Sequence, residues 1–290
     1  MKRIKTILPA TARSHWVGDG FNVRPVFANL AFTEAISPFL MFDYAAPREF
    51  AATREKRGVG PHPHRGFETV TIAFQGEVEH GDSVGNRGVI GPGDVQWMTA
   101  ASGIIHEEFL SREFLKQGGI LEMVQLWVNL PARHKMIAPK YQPILSRQIP
   151  VVQLPDNGGT VRVIAGDYAG IQGPASTFSP VNLWDIKLAA GKSVELTVPQ
   201  GHNTMLFVRQ GKLALGSAVI GAADLALLER DGTLVQLRAQ EDTSLLLMGG
   251  EPIAEPIVAS GPFVMNTEQE IRVAMMDYQS GRMGKINISI

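Results

Sequence analysis

Two short stretches of this chain carry residues that could do chemistry together. GPHPHRGFETVTIAFQG spans positions 60–76 and GPGDVQWMTAASGIIHEEF spans positions 91–109. In an extended strand, side chains two apart share a face. His62 and His64 therefore project together, as do His106 and Glu108. If the two strands are neighbours, three imidazoles and one carboxylate converge on one point. Glu107 points the other way, which favours Glu108 over its neighbour. Such a donor set is of borderline hardness; it suits Fe2+ and could take Mn, Ni, Cu or Zn. Four protein ligands leave an octahedral ion with open positions, which a reacting substrate or O2 needs. A lone H-x-H is often a pair of exposed turn residues, and Pro61 and Pro63 would suit a loop. The combination outweighs that reading, because three of only seven histidines fall in this set.

The other candidates read more blandly. His15 lies in an N-terminal strand or loop, and His134 in a segment rich in proline and basic residues. His80 follows Glu77 and Glu79 and reads as solvated. His202, in VPQGHNTML, occupies a turn without an H-x-H partner. The second half therefore reads as metal-free, structural or regulatory. Glu68 shares the face of His64 on a simple count, but Gly66 can bend the strand. It reads as a residue behind the site, or a structural one, rather than a ligand. Phe67, Trp97 and Met98 read as core before pocket lining. Arg54, Lys56 and Arg57 read as a solvated loop.

Composition excludes several classes. The 290 residues include no cysteine, which removes disulfides, thiolate metal sites and cysteine nucleophiles. A reducing cytoplasm is compatible with this. Lys and Arg number 27 against 28 acids and are scattered, which argues against direct nucleic-acid binding. The start, MKRIKTILPATARSH, lacks the apolar stretch of a signal peptide. The densest apolar run, around Leu245 to Met248, is strand-sized rather than membrane-spanning. The expectation is a soluble cytoplasmic chain with no membrane partner.

The elements that must position the site are strands. Thirty glycines and 18 prolines recur along the chain and punctuate short alternating segments. Thr69–Phe74 alternates Val70, Ile72 and Phe74, and Ser193–Val198 alternates Val194, Leu196 and Val198. Ile120–Val128 is rich in β-formers. Asp224–Leu228 could be a short helix or a strand. Near the C-terminus Thr267 and Glu270 have capping-box spacing. Ile271, Met275 and Tyr278 follow at helical spacing, and Gly281 is placed to end that helix. LPARHKMIAPKYQPILSRQIP reads as a linker. The expected organisation is residues 1–130 as a metal-binding barrel, 131–155 as linker, and 156–290 as a second barrel without metal, ending in a helix. AFQGEVEH echoes FVRQGKLALG, and GPGDVQWM echoes GAADLALL, as duplicated barrels would.

At these residues the sequence resembles the pirin family of the cupin superfamily. HPHRGFETV from His62, PGDVQWMTA from Pro92, GIIHEE from Gly103, GPFVMNT from Gly261 and DYQSGR from Asp277 all look like pirin segments. The likeness runs over most of the chain. It departs from the general cupin pattern at Lys56, where that pattern wants glycine, and at Glu68, which that pattern would make a ligand. The resemblance implies an all-β bicupin: two antiparallel, jelly-roll-like barrels with a short C-terminal helix and iron in the first barrel only. Its ligands fall on His62, His64, His106 and Glu108. It further implies quercetin 2,3-dioxygenase activity on a flavonol with O2, ring opening with release of carbon monoxide, and Glu108 as ligand and catalytic base. The same family implies an alternative, a non-enzymatic, iron-dependent redox-sensing regulator with a protein partner. Two barrels in one chain make a monomer sufficient.

Overall fold

Alternating apolar residues broken by glycine turns make this an all-β chain, with 52% of the described residues in strands and 11% in helices. The computed structural model describes residues 1–28 and 33–286. The first half runs through β1 (Ile4–Leu8), β2 (His15–Val17), β3 (Phe21–Phe27), α1 (Thr33–Ile36), β4 (Phe39–Phe50) and β5 (Gly58–His64). It continues with β6 (Phe67–Gln75), β7 (Val78–Asp82), β8 (Arg87–Ile90), β9 (Val95–Thr99), β10 (Ile104–Leu110), α2 (Arg112–Gln117), β11 (Gly119–Asn129) and β12 (Lys140–Ile144). The second half holds β13 (Val151–Gln153), β14 (Gly159–Ala165), the small hairpin β15 (Asp167–Tyr168) and β16 (Ile171–Gln172), and β17 (Val181–Leu188). After it come β18 (Ser193–Thr197), β19 (Asn203–Gln210), β20 (Leu213–Leu215), β21 (Ala218–Ile220), β22 (Leu225–Leu228), β23 (Leu234–Ala239) and β24 (Thr243–Gly250). The chain closes with β25 (Val258–Ser260), β26 (Phe263–Met265) and α3 (Glu268–Gln279).

Two compact units result. The N-terminal unit comprises Arg13–Ala28, Phe39–Ser146 and, at the end of the described chain, residues 253–286. Its strands form a seven-stranded sheet, β12-β9-β6-β11-β4-β3-β2, and a four-stranded sheet, β5-β10-β7-β8. The C-terminal unit comprises Met1–Ala12, the segment carrying α1, and Arg147–Pro252. Its sheets are β1-β22-β19-β24-β17-β14-β13 and β18-β23-β20-β21. The two orders match strand for strand, so the echo in the sequence is a repeat of topology. The shared turn shows it best. Gly91 N donates to Asp94 Oδ2 at 2.9 Å and Gly221 N donates to Asp224 Oδ2 at 2.8 Å. After that turn Leu225–Leu228 is a strand, which resolves the helix-or-strand choice there.

The expected linear boundaries do not hold. β1 pairs with β22, which puts the first residues into the C-terminal unit. The chain after Ile253 returns to the N-terminal unit. Residues 131–155 are no bare linker: β12 pairs with β9, β13 pairs with β14, and the division falls between Ser146 and Arg147. Each sheet edge needs a ladder partner, and which edge stands open is set by tertiary folding rather than by chain order.

Two local readings also change. β6 is buried on both faces, since Thr69 and Thr71 are as inaccessible as Val70 and Ile72. On α3, Thr267 caps through Glu270 N as expected, but the inward face is Ile271, Ala274 and Asp277. Met275 and Tyr278 are 38% and 40% exposed. The inward polar residue is paid for by pairing: Asp277 meets Arg65 at 2.9 Å and also binds Arg282.

Candidate metal centre

β5 and β10 are antiparallel neighbours with His106 directly opposite His62 and Ile104 opposite His64. Period-two alternation then puts His62, His64 and His106 on one face of the four-stranded sheet. Ring centroids lie 4.2 Å apart for His62 and His106, 4.9 Å for His62 and His64, and 4.8 Å for His64 and His106. One nitrogen from each ring falls within 4.8 Å of the others. His64 is 5% exposed and His106 is fully inaccessible.

The polar atoms of these rings fit a cation. His62 Nδ1 lies 2.8 Å from the Gly60 carbonyl oxygen, which can only accept. That proton assignment leaves Nε2 free as a base. His64 Nδ1 and both nitrogens of His106 are buried without a hydrogen-bond partner. An unsatisfied buried polar group costs about 1–3 kcal/mol, so three of them together ask for a ligand. Burial, then the charge of His62, holds His64 down to about 3. Burial and the charges of His62, His64 and His80 keep His106 well below its ordinary value. Neutral imidazoles are what a transition metal binds.

Glu108 sits two residues beyond His106, and its carboxylate is satisfied by donors. Gln96 Nε2 donates to Oε1 at 2.8 Å, Thr71 Oγ1 to Oε1 at 3.3 Å, and Gln125 Nε2 to Oε2 at 3.0 Å. It does not join the set of groups within 4.8 Å of one another, which holds the histidines alone among the described residues. Glu107 faces away, with Lys56 at 3.7 Å and Arg87 at 3.8 Å. Glu68 is buried elsewhere, accepting from Thr99 Oγ1 at 2.7 Å. Three positions from Thr71 on the same strand, it lies on the opposite face from the residue that touches Glu108. Burial pushes it up to about 7, partly offset by the Thr99 hydrogen bond.

His80 is not solvated. It is 1% exposed, with Nε2 3.1 Å from Asp82 Oδ2. β7 extends the sheet beside β10 and places His80 opposite Glu108. Its acidic neighbour Glu79 alternates to the outer face, so local composition misleads about the ring between. The imidazole stacks on Tyr141 at 4.5 Å and lies 5.6 Å from His106. Burial raises Asp82, but hydrogen bonds from His80 and Asn86 prevail and hold it below its ordinary value.

The turn after the first histidine pair is clamped by distant residues. Arg65 Nε donates to the Ser102 carbonyl and Arg65 Nη2 to Asp277. Lys135 is 1% exposed, and its Nζ donates to Gly66 O, Asn129 Oδ1 and Val264 O. Gly66 has φ +89, and a Cβ there would meet Val264 O at 1.9 Å. Gln96, Gln125, Lys135, Tyr141 and Asp277 were not marked by spacing. Each acts across strands, where a one-dimensional pattern carries no signal.

Comparison with known proteins decides the family. Residues 20–128 match Pirin, and residues 183–284 match the Pirin C-terminal cupin domain. The chain belongs to the pirin family. A Pseudomonas aeruginosa relative with a provisional quercetin 2,3-dioxygenase name is 54% identical over 97% of this pirin and 98% of its own length. A pirin-like protein of Solanum lycopersicum is 37% identical over 94% of this chain and 90% of its own. The crystal structure titled quercetin 2,3-dioxygenase from Acinetobacter baumannii superposes with a TM-score of 0.96. It is 49% identical and covers 99% of this pirin and all of that chain. The match to the C-terminal cupin domain runs past Ile253, so its last part is built into the N-terminal unit of this pirin. No helix among the described residues is long and apolar enough to cross a membrane.

Proposed function

We propose that this pirin is a metal-dependent dioxygenase that opens the ring of quercetin-like flavonols with O2 and releases carbon monoxide. One observation carries the reading: three imidazoles crowd together, and two of them, His64 and His106, bury nitrogens that lack protein partners. His62, His64 and His106 would hold one divalent transition metal, with Glu108 as fourth ligand. Fe2+ is the assignment, and Mn, Ni, Cu or Zn suit the same donors. When bound, the metal supplies Lewis acidity toward the flavonol oxygen and an electron path to O2.

The chain's own residues supply the rest. Glu108 takes the proton of the 3-hydroxyl group, breaking that O–H bond and forming a carboxyl O–H. Gln96, Thr71 and Gln125 fix the carboxylate in direction before the substrate arrives. Phe67 and Trp127 flank His64, at 5.0 and 5.3 Å between ring centroids. Phe67 is fully inaccessible, so this aromatic packing keeps water from the inner side of His64. The relatives' names support the substrate class, and the absence of cysteine fits a cytoplasmic location.

The test is elemental analysis of the purified protein coupled to oxygen uptake with quercetin. Stoichiometric metal and uptake well above that of free iron are expected. Metal without turnover would overturn the enzymatic reading in favour of a redox-sensing interaction protein. In Glu108→Gln some metal should remain while turnover is abolished; unchanged turnover removes Glu108 from the role of base.

A further inference from the structure

The geometry points to Tyr141 as a positioning residue for Glu108, acting through the side-chain amide of Gln96; its bearing on catalysis rests on the function proposed above. Tyr141 comes from β12, in the segment expected to be a linker. Its backbone pairs opposite Met98, which puts Gln96 on the same face one diagonal step away. The phenol hydroxyl lies 3.2 Å from Gln96 Oε1, and Gln96 Nε2 lies 2.8 Å from Glu108 Oε1.

A glutamine amide has two ends of opposite character and nearly equal shape. Turned the wrong way, Gln96 would face Glu108 with an oxygen, setting two acceptors against each other. Gln96 is fully inaccessible, so bulk water does not choose the orientation. The Tyr141 hydroxyl does, because it donates to the amide oxygen and thereby aims the NH2 group at the carboxylate. The phenol is itself held. Its ring stacks on His80 at 4.5 Å with an interplanar angle of 10°. Gly88 leaves room for the hydroxyl: a Cβ at that position would come within 2.7 Å of it. His80 is in turn fixed by Asp82. A phenol, an amide and a carboxylate therefore form a line of directed hydrogen bonds whose first member never needs to touch a reacting group.

The test uses the full chain with nickel(II) as the probe, titrated against a competing chelator, and the Gln96 side-chain amide observed by NMR. Tyr141→Phe keeps the ring and its stacking and removes only the donor. It should weaken nickel(II) about tenfold, the lower end for partners that orient a metal ligand. Gly88→Ala, which crowds the hydroxyl while leaving Tyr141, Gln96 and Glu108 themselves unchanged, should act in the same direction. Tyr141→Phe added to Gln96→Leu should cost nothing further. Additive losses, or unchanged affinity in Tyr141→Phe, would overturn the proposal. If the wild-type protein holds no nickel(II), the metal reading fails, and the amide signal still decides this one. Its two proton resonances should shift and converge in Tyr141→Phe if the phenol orients the amide, and stay unmoved if it does not.

Discussion

The two cupin units share one strand order and differ in what fills it. In the C-terminal unit the strands corresponding to β5 and β10 are β18 and β23. They turn Val194, Leu196, Val235 and Leu237 into a core that also holds Trp184, Leu206, Val208, Leu213 and Leu247. In the N-terminal unit the same places carry His62, His64, His106 and Glu108, beside His80, Gln96 and Thr71. An apolar cluster around Phe21, Phe50, Phe114 and Leu121 remains there as separate support. One scaffold thus serves twice. Where its interior is apolar it adds packing energy; where it is polar it gathers the candidate ligands, and its buried polar groups need partners.

The comparison breaks most sharply at His106. Replacing it as in His106→Leu puts an apolar residue where the C-terminal unit has one. Bound metal should fall to background by elemental analysis, while urea unfolding of the apo protein shows no loss of stability, because two orphan nitrogens are removed. A mutant that still binds metal stoichiometrically would break the assignment. The reciprocal change is Trp184→Ala, a cavity in the apolar unit. It should cost about 3–5 kcal/mol by denaturant unfolding and leave metal content unaltered. A loss of metal in that variant would show that the two interiors are not independent.

Glu68 sharpens the contrast within the N-terminal unit, since it is buried but away from the histidines. Its native value is raised to about 7 from the ordinary 4.5. Between those values the native state binds more protons than the unfolded chain. The Glu68 contribution is therefore fully present below about pH 4.5 and is lost as pH rises through about 7. Glu68→Gln should remove that dependence and gain on the order of 1–3 kcal/mol above pH 7. Unfolding curves at pH 5 and pH 8 check this; an unchanged pH dependence would refute it. The smallest effect lies in the repeated turn. Gly93 has φ +86, and its counterpart Ala223 has φ +65. Ala223→Gly should stabilise by about 0.5–1 kcal/mol by urea titration, since only glycine takes that region without strain. Loss of stability there would mean that the two turns are not equivalent.

The histidine cluster was legible because strands obey a short rule. Alternation alone put His62 with His64 and His106 with Glu108, and turned Glu107 outward. The capping box at Thr267 is equally local and appears as read. His80 was misread because its acidic neighbours describe the outer face of β7, not the inner one. The inward face of α3 was misread because Asp277 is buried against an arginine more than 200 positions away in the chain.

The sequence by itself determined the strand-rich fold and the pairing of candidate ligands by face. Both depend on residues a few positions apart. Only the tertiary structure decided which unit each chain end joins, that the supposed linker supplies Tyr141, and which amides hold Glu108. Those outcomes depend on which strand edges meet, and edge pairing is a property of the whole folded chain rather than of any short segment of it.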